Sequence, residues 1–98
     1  MKSTTYRIYT EMKPMTDVAV RHAMKAQEIP SYTIFAATGC WNEASEASCI
    51  VEVIHTHDGV LTPGEMAENI EIAAKTIKKL LSQEAVLVSS YESTSFLV

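Results

Sequence analysis

Thr62-Pro63-Gly64-Glu65-Met66-Ala67-Glu68-Asn69-Ile70-Glu71-Ile72-Ala73-Ala74-Lys75-Thr76-Ile77-Lys78-Lys79-Leu80-Leu81 is the stretch on which the fold turns. Thr62 followed three residues later by Glu65 is a capping-box pattern, and Pro63 suits the first helical position because its missing N–H would have no partner there. Met66, Ile70, Ala73, Ile77, Leu80 and Leu81 then form one apolar stripe at helical spacing. Glu65, Glu68 and Glu71 come early and Lys75, Lys78 and Lys79 late, which complements the helix dipole. The pattern predicts one long amphipathic helix with a single face to bury.

Outward from that helix the period changes from 3.6 to two. Downstream, Glu84 to Ser90 reads as a strand, and Ser95-Phe96-Leu97-Val98 is placed either to extend a sheet or to reach a neighbouring subunit. Upstream, Ser48 to Thr56 reads as a strand with Cys49, Val51 and Val53 on one face and Ile50, Glu52 and Ile54 on the other. Cys40 to Ala47, with Asn, Ser and two Glu, reads as a connecting loop, and Gly39 punctuates a strand over Ser31 to Thr38. Val20, Ala23, Met24 and Gln27 follow Thr16 and Asp17 at helical spacing, predicting a helix from Asp17 to Gln27 that Ile29-Pro30 ends. The first strand is expected over residues 4–12, with Tyr6, Ile8 and Thr10 on one face and Pro14 as its stop.

The order strand, helix, strand, strand, helix, strand is the split β-α-β arrangement. It predicts a ferredoxin-like α+β domain over residues 1–98, an antiparallel sheet with both helices on one face. A chain of 98 residues buries only about two-thirds of its unfolded surface, so association with further copies would help its thin core. Apolar types make up 47% and charged types 20%, a balance that suits a folded domain. Eight basic against twelve acidic residues give a net charge of −4 and a pI near 5.3. That argues against general nucleic-acid binding, which needs a basic face, and is compatible with a cationic ligand. No window approaches the roughly 20 apolar residues of a membrane span. The opening Met1-Lys2-Ser3-Thr4-Thr5-Tyr6-Arg7 has no apolar signal segment, and two cysteines do not make a disulfide scaffold, so the expected location is the reducing cytoplasm.

Several residues invite chemical readings. His55, His57 and Asp58 offer three potential metal ligands at a strand end; with no further Cys/His cluster, a polar strand end entering a turn is the better reading, and no metal is expected. Cys40 and Cys49 lack an electropositive neighbour, since Glu43 and Glu46 carry the wrong sign, so buried inert thiols are expected. Glu43, Glu46 and Glu52 are carboxylates that can serve as bases or stabilise positive charge on a substrate; from composition alone a solvated acidic loop is the better reading. Trp41 either stacks on a flat heterocycle or caps the core. No phosphate loop, dinucleotide-binding glycine pattern or serine-nucleophile elbow is present.

Thr38-Gly39-Cys40-Trp41, then Glu43, then Glu46-Ala47-Ser48 leading into a strand, resembles the phage-encoded S-adenosylmethionine (SAM) lyases, formerly called SAM hydrolases. The resemblance continues in Gln83-Glu84-Ala85-Val86-Leu87-Val88 after the long helix and covers Tyr32 to Val98. It implies trimers of ferredoxin-like subunits that bind SAM between neighbouring chains and split it into methylthioadenosine and homoserine lactone, with no metal or cofactor. It also implies an anti-restriction role in the infected host. By the same resemblance Glu46 and Glu84 are the functional acids, and Phe35, Thr38, Gly39, Trp41 and Ser48 the pocket residues. The chain departs from the coliphage member of the family, which has adjacent acids where Glu46 is followed by Ala47 here, and it carries His57 to Leu61 as an insertion before the long helix. The alternative expectation is a non-catalytic oligomeric module that holds a nucleotide or metabolite in the same clefts.

Overall fold

Alternating strands and striped helices meet in one layer of side chains. The computed structural model describes residues 1–98. Its elements are β1 (Lys2–Glu11), α1 (Thr16–Ala26), β2 (Thr33–Trp41), β3 (Ala44–Thr56), α2 (Pro63–Leu80) and β4 (Leu87–Thr94). The strands form one sheet in the order β2-β3-β1-β4 with every neighbouring pair antiparallel, which is the ferredoxin-like α+β fold. Neither helix is long and apolar enough to cross a membrane.

Directly opposed residues share a sheet face, so the register assigns the two faces. Tyr6 pairs with Val53, Ile8 with Val51 and Thr10 with Cys49, and all six are buried. Onto them pack Ala19, Val20, Ala23 and Met24 of α1 and Met66, Ile70, Ala73, Ala74 and Ile77 of α2. Leu81 completes the stripe, whereas Leu80, which the helical spacing also assigned to it, is exposed. The opposite sheet face carries Phe35, Ile50, Ile54, Leu87 and Tyr91 with no layer above them. Arg7 and Glu52 pair on this open face: Arg7 Nε donates to Glu52 Oε2 at 2.8 Å, and the guanidinium lies 5.7 Å from the Tyr91 ring centre.

The helix ends show how local chemistry sets the boundaries. Thr62 Oγ1 accepts from the Glu65 N–H and Glu65 Oε1 accepts from the Thr62 N–H, so the expected capping box is closed. Thr16 does not cap α1. Met15 holds the cap position, and the Thr16 hydroxyl instead accepts from Lys13 N and donates to Glu11 O, stapling the turn that leaves β1. Both helices end in a Schellman motif: Glu28 and Ser82 take left-handed φ values of 54° and 51°, and the next N–H, of Ile29 or Gln83, bonds back to the carbonyl of Met24 or Lys78.

Two segments differ from the sequence reading. Cys40 to Ala47 is not a loop: β2 and β3 run on to Trp41 and Ala44 and are joined by Asn42-Glu43 alone. Both of those residues have positive φ, 47° and 68°, the type I′ geometry that matches strand twist. Every residue from Cys40 to Ala47 is exposed, so the polar composition there reflects an arm wetted on both faces rather than a loop. The last strand starts three residues later and ends four later than expected, over Leu87–Thr94, because its register is set by pairing with β1, from Tyr9↔Leu87 to Lys2↔Thr94. After it, the tail is held by Ser95 N to Met1 O and by the Met1 ammonium to Ser95 O, leaving Phe96, Leu97 and Val98 exposed.

Candidate functional site

The open sheet face deepens into a groove of about 760 Å³ where the β2–β3 arm leaves the helix layer. Tyr9, Thr10 and Glu11 from β1, Ala37, Thr38, Gly39 and Trp41 from β2, and Glu46, Ser48 and Ile50 from β3 line it. Gln83 and Ala85 from the α2–β4 connection and Leu87 from the start of β4 close the other side. Of the residues expected from sequence, Glu46, Thr38, Gly39, Trp41 and Ser48 therefore come together. Phe35 lies on the same sheet face but outside the groove, and Glu84 is exposed beside Gln83 without lining it.

The ladder register makes the cluster. Gly39 is directly opposite Glu46, and Ala37 is opposite Ser48. A methyl group at Gly39 would lie 2.9 Å from Ser48 Oγ and 3.9 Å from Glu46 Oε1. The missing side chain thus leaves the floor on which the serine hydroxyl and the glutamate converge. Trp41, expected either as a stacking platform or a core cap, does not cap the core: it is 80% exposed at the groove mouth. Its indole offers an apolar face at the mouth of the groove.

The other carboxylates are spent elsewhere. Glu43 sits in the hairpin turn, and Glu52 is paired with Arg7. Glu11, at the groove's edge, has the Lys13 ammonium 3.2 Å away. That leaves Glu46 as the carboxylate in the groove with no cation beside it, and no Lys, Arg or His lines the groove. Tyr9, which does line it, has its phenol held below the usual range, first by a hydrogen bond to Ser89 and then by the Arg7 guanidinium. The alternation of Tyr9 with Arg7 on the open face marks it as groove-facing, a signal the sequence reading did not use.

The remaining candidates separate cleanly. His57 Nε2 and Thr4 Oγ1 are 2.7 Å apart, and the His55 and His57 rings are 6.2 Å apart. His55 is 8% exposed with no partner for Nδ1. No group of three His, Cys, Asp or Glu side chains converges as a metal cage would require. Cys49 is buried, and its thiol is pushed up first by desolvation and then by the Asp17 charge. Cys40, expected to be buried as well, is exposed on the arm because β2 continues past the helix layer.

No family model and no curated protein matches the sequence. Solved structures do share the fold. A phage SAM lyase in complex with S-methyl-5′-thioadenosine superposes with a TM-score of 0.70 at 18% identity, over 95% of this chain and 90% of that one. A phage SAM lyase in its apo state gives 0.65 at 16% identity, over 99% and 93%. A nitrogen regulatory PII-like protein from Thiomonas intermedia, bound to ADP, AMP and bicarbonate, gives 0.62 at 9% identity, over 100% and 98%.

Proposed function

We propose that the chain is a SAM lyase, acting as a homotrimer whose sites lie between subunits, and that it lowers SAM in the cytoplasm of an infected host to blunt methylation-dependent restriction. One observation carries the reading. On a fold shared with phage SAM lyases, five of the seven residues singled out by the sequence resemblance converge on one groove whose free charge is negative.

The reaction suits what the groove contains. The substrate's own carboxylate oxygen forms a bond to Cγ while the Cγ–S bond breaks. The bonding pair returns to sulfur, and the products are methylthioadenosine, which is neutral, and homoserine lactone, which keeps the ammonium charge. No proton moves and no protein nucleophile is consumed, so the groove's lack of imidazole, thiol and amine groups is no handicap. The protein's task is to fold the substrate so that carboxylate and Cγ meet. Well-oriented intramolecular reactions gain effective molarities of about 10⁵–10⁸ M.

Charge bookkeeping assigns the acid. Sulfonium and carboxylate neutralise each other as the reaction proceeds, so a carboxylate placed against the sulfonium would favour the ground state over the transition state. The substrate ammonium keeps its charge throughout. Glu46 is assigned to that ammonium, where attraction is worth about 4 kcal/mol at 4 Å for an effective dielectric near 20. Trp41, Ile50 and Leu87 supply apolar walls, and Gly39 and Ser48 the floor. Glu84 and Phe35, outside this groove in the single chain, are assigned to the part of the site that a neighbouring subunit completes. The exposed indole of Trp41 and the uncovered sheet face support such assembly.

Incubation with SAM, followed by mass spectrometry with Glu46→Gln in parallel, tests the reading. Methylthioadenosine plus homoserine lactone from the parent chain alone is the expected result; unchanged SAM overturns it. The fold shared with an ADP- and AMP-bound PII-like protein favours a second reading, a nucleotide-binding module without turnover. It predicts unchanged SAM together with a thermal shift by adenine nucleotides.

A further inference from the structure

Gln83 is anchored at both ends of its freedom except one atom. Its backbone N–H bonds to Lys78 O at 2.9 Å within the Schellman motif that ends α2. Its Oε1 accepts from the Thr10 hydroxyl at 2.7 Å, and Thr10 is itself buried in the sheet. The remaining polar atom, Nε2, is shielded from water and has no hydrogen-bond partner. A buried amide left without a partner is costly, about 1–3 kcal/mol, and its presence asks for a reason such as a role at a site or a bound water. Gln83 and Thr10 both line the groove that holds Glu46.

We propose that Gln83 Nε2 donates a hydrogen bond to the substrate's carboxylate and so positions the attacking oxygen; this rests on the SAM-lyase reading above. This chain brings no Lys, Arg or His to the groove, so within the subunit an anionic group entering it is met by neutral donors. Tyr9, Thr38 and Ser48 offer rotating hydroxyls, whereas the Gln83 amide is held in one orientation by Thr10. A neutral donor also suits the chemistry. A guanidinium would bind the carboxylate more tightly but would stabilise the very charge that must be given up to carbon. Gln83 then fixes direction at little cost in nucleophilicity. Glu46, which lines the same groove, would take the ammonium of the same amino-acid group. Thr10, which does not touch substrate in this arrangement, is the positioning residue.

Calorimetric titration with two probes tests this. S-adenosylhomocysteine keeps the carboxylate and ammonium but has no sulfonium to cleave; methylthioadenosine has neither group. Gln83→Met and Gln83→Glu should each weaken S-adenosylhomocysteine by about tenfold or more, the size of a hydrogen bond to a charged group, with Gln83→Glu the worse of the two. Methylthioadenosine affinity should stay within about twofold, which also shows that each variant is folded. Thr10→Val should give a smaller loss of the same selectivity. Equal losses for both probes in a variant with unchanged melting, or no loss for either, would overturn the assignment while leaving the lyase reading in place. A parent chain that binds neither probe overturns both, and does so before any variant is made.

Discussion

Gly39 stands directly opposite Glu46 in the β2–β3 ladder, and a Cβ on it would lie 2.9 Å from the Ser48 hydroxyl. A strand interior normally disfavours glycine by roughly 0.5–1 kcal/mol relative to alanine. Its presence here trades strand stability for an open floor. Gly39→Ala is therefore expected to leave the melting temperature close to that of the parent chain, since the gained strand preference offsets a forced turn of the Ser48 hydroxyl. Turnover of SAM should fall by about tenfold or more, the effect of one misplaced contact at a positioned site. A variant with parental turnover would remove the floor from the site.

Acid sensitivity should report on the capping box. The Glu65 carboxyl is held below the usual carboxylate range, first by the Thr62 backbone N–H and then by the Thr62 hydroxyl. A folded-state value below the unfolded one means that this contribution is fully present above the ordinary carboxylate pKa. It is lost as pH falls through the lower, folded value. Glu65→Gln should flatten that acid limb of stability against pH, and Thr62→Ala should cost about 1 kcal/mol at neutral pH. Urea midpoints measured from pH 7 down to pH 3 check both.

Ser82 terminates α2 in a left-handed conformation, φ 51°, which L-residues other than asparagine and aspartate rarely favour. Ser82→Gly should stabilise the chain by about 0.5–1 kcal/mol. For a domain of this size that is a rise in melting temperature of about 2–8 °C. Destabilisation instead would mean that the serine side chain contributes more than its strained backbone costs.

The two thiols should separate by reactivity. Cys40 is exposed on the arm, while Cys49 is 0% exposed with its thiol pushed up by burial. Alkylation of the native protein at pH 8 is expected to give one adduct, at Cys40, and the second only in denaturant. Peptide mapping showing Cys49 modified as fast as Cys40 would contradict the buried placement.

The α2 helix, from its capping box to Leu81, was readable because its signals are local: hydrogen bonds between residues three apart and an apolar stripe repeating every turn. Strand periodicity in Tyr6, Ile8, Val51 and Val53 was readable for the same reason, and element order then limited the topology to one common answer. The hairpin arm was not. Asn42-Glu43 lacks the glycine that usually announces a type I′ turn, and polar residues exposed on both faces of a free arm have the composition of a loop. The limits of β4 were hidden because an edge strand with six of its eight residues exposed carries only a weak alternation, and β1 sets its register.

The site divides along the same line. Residue types and order alone marked Thr38, Gly39, Trp41, Glu46 and Ser48 as a set, through their likeness to a known pattern. Which carboxylate is free was a tertiary matter, because the partner that occupies Glu52 sits on another strand, 45 residues away along the chain. Gln83 became a candidate only when the sheet brought Thr10 to within 2.7 Å of its carbonyl oxygen across 73 residues of sequence. Helices, strands and their order follow from interactions between near neighbours, and so one chain's sequence determines them. The groove is made by residues from four strands and the α2–β4 connection, whose distances are set by packing and register.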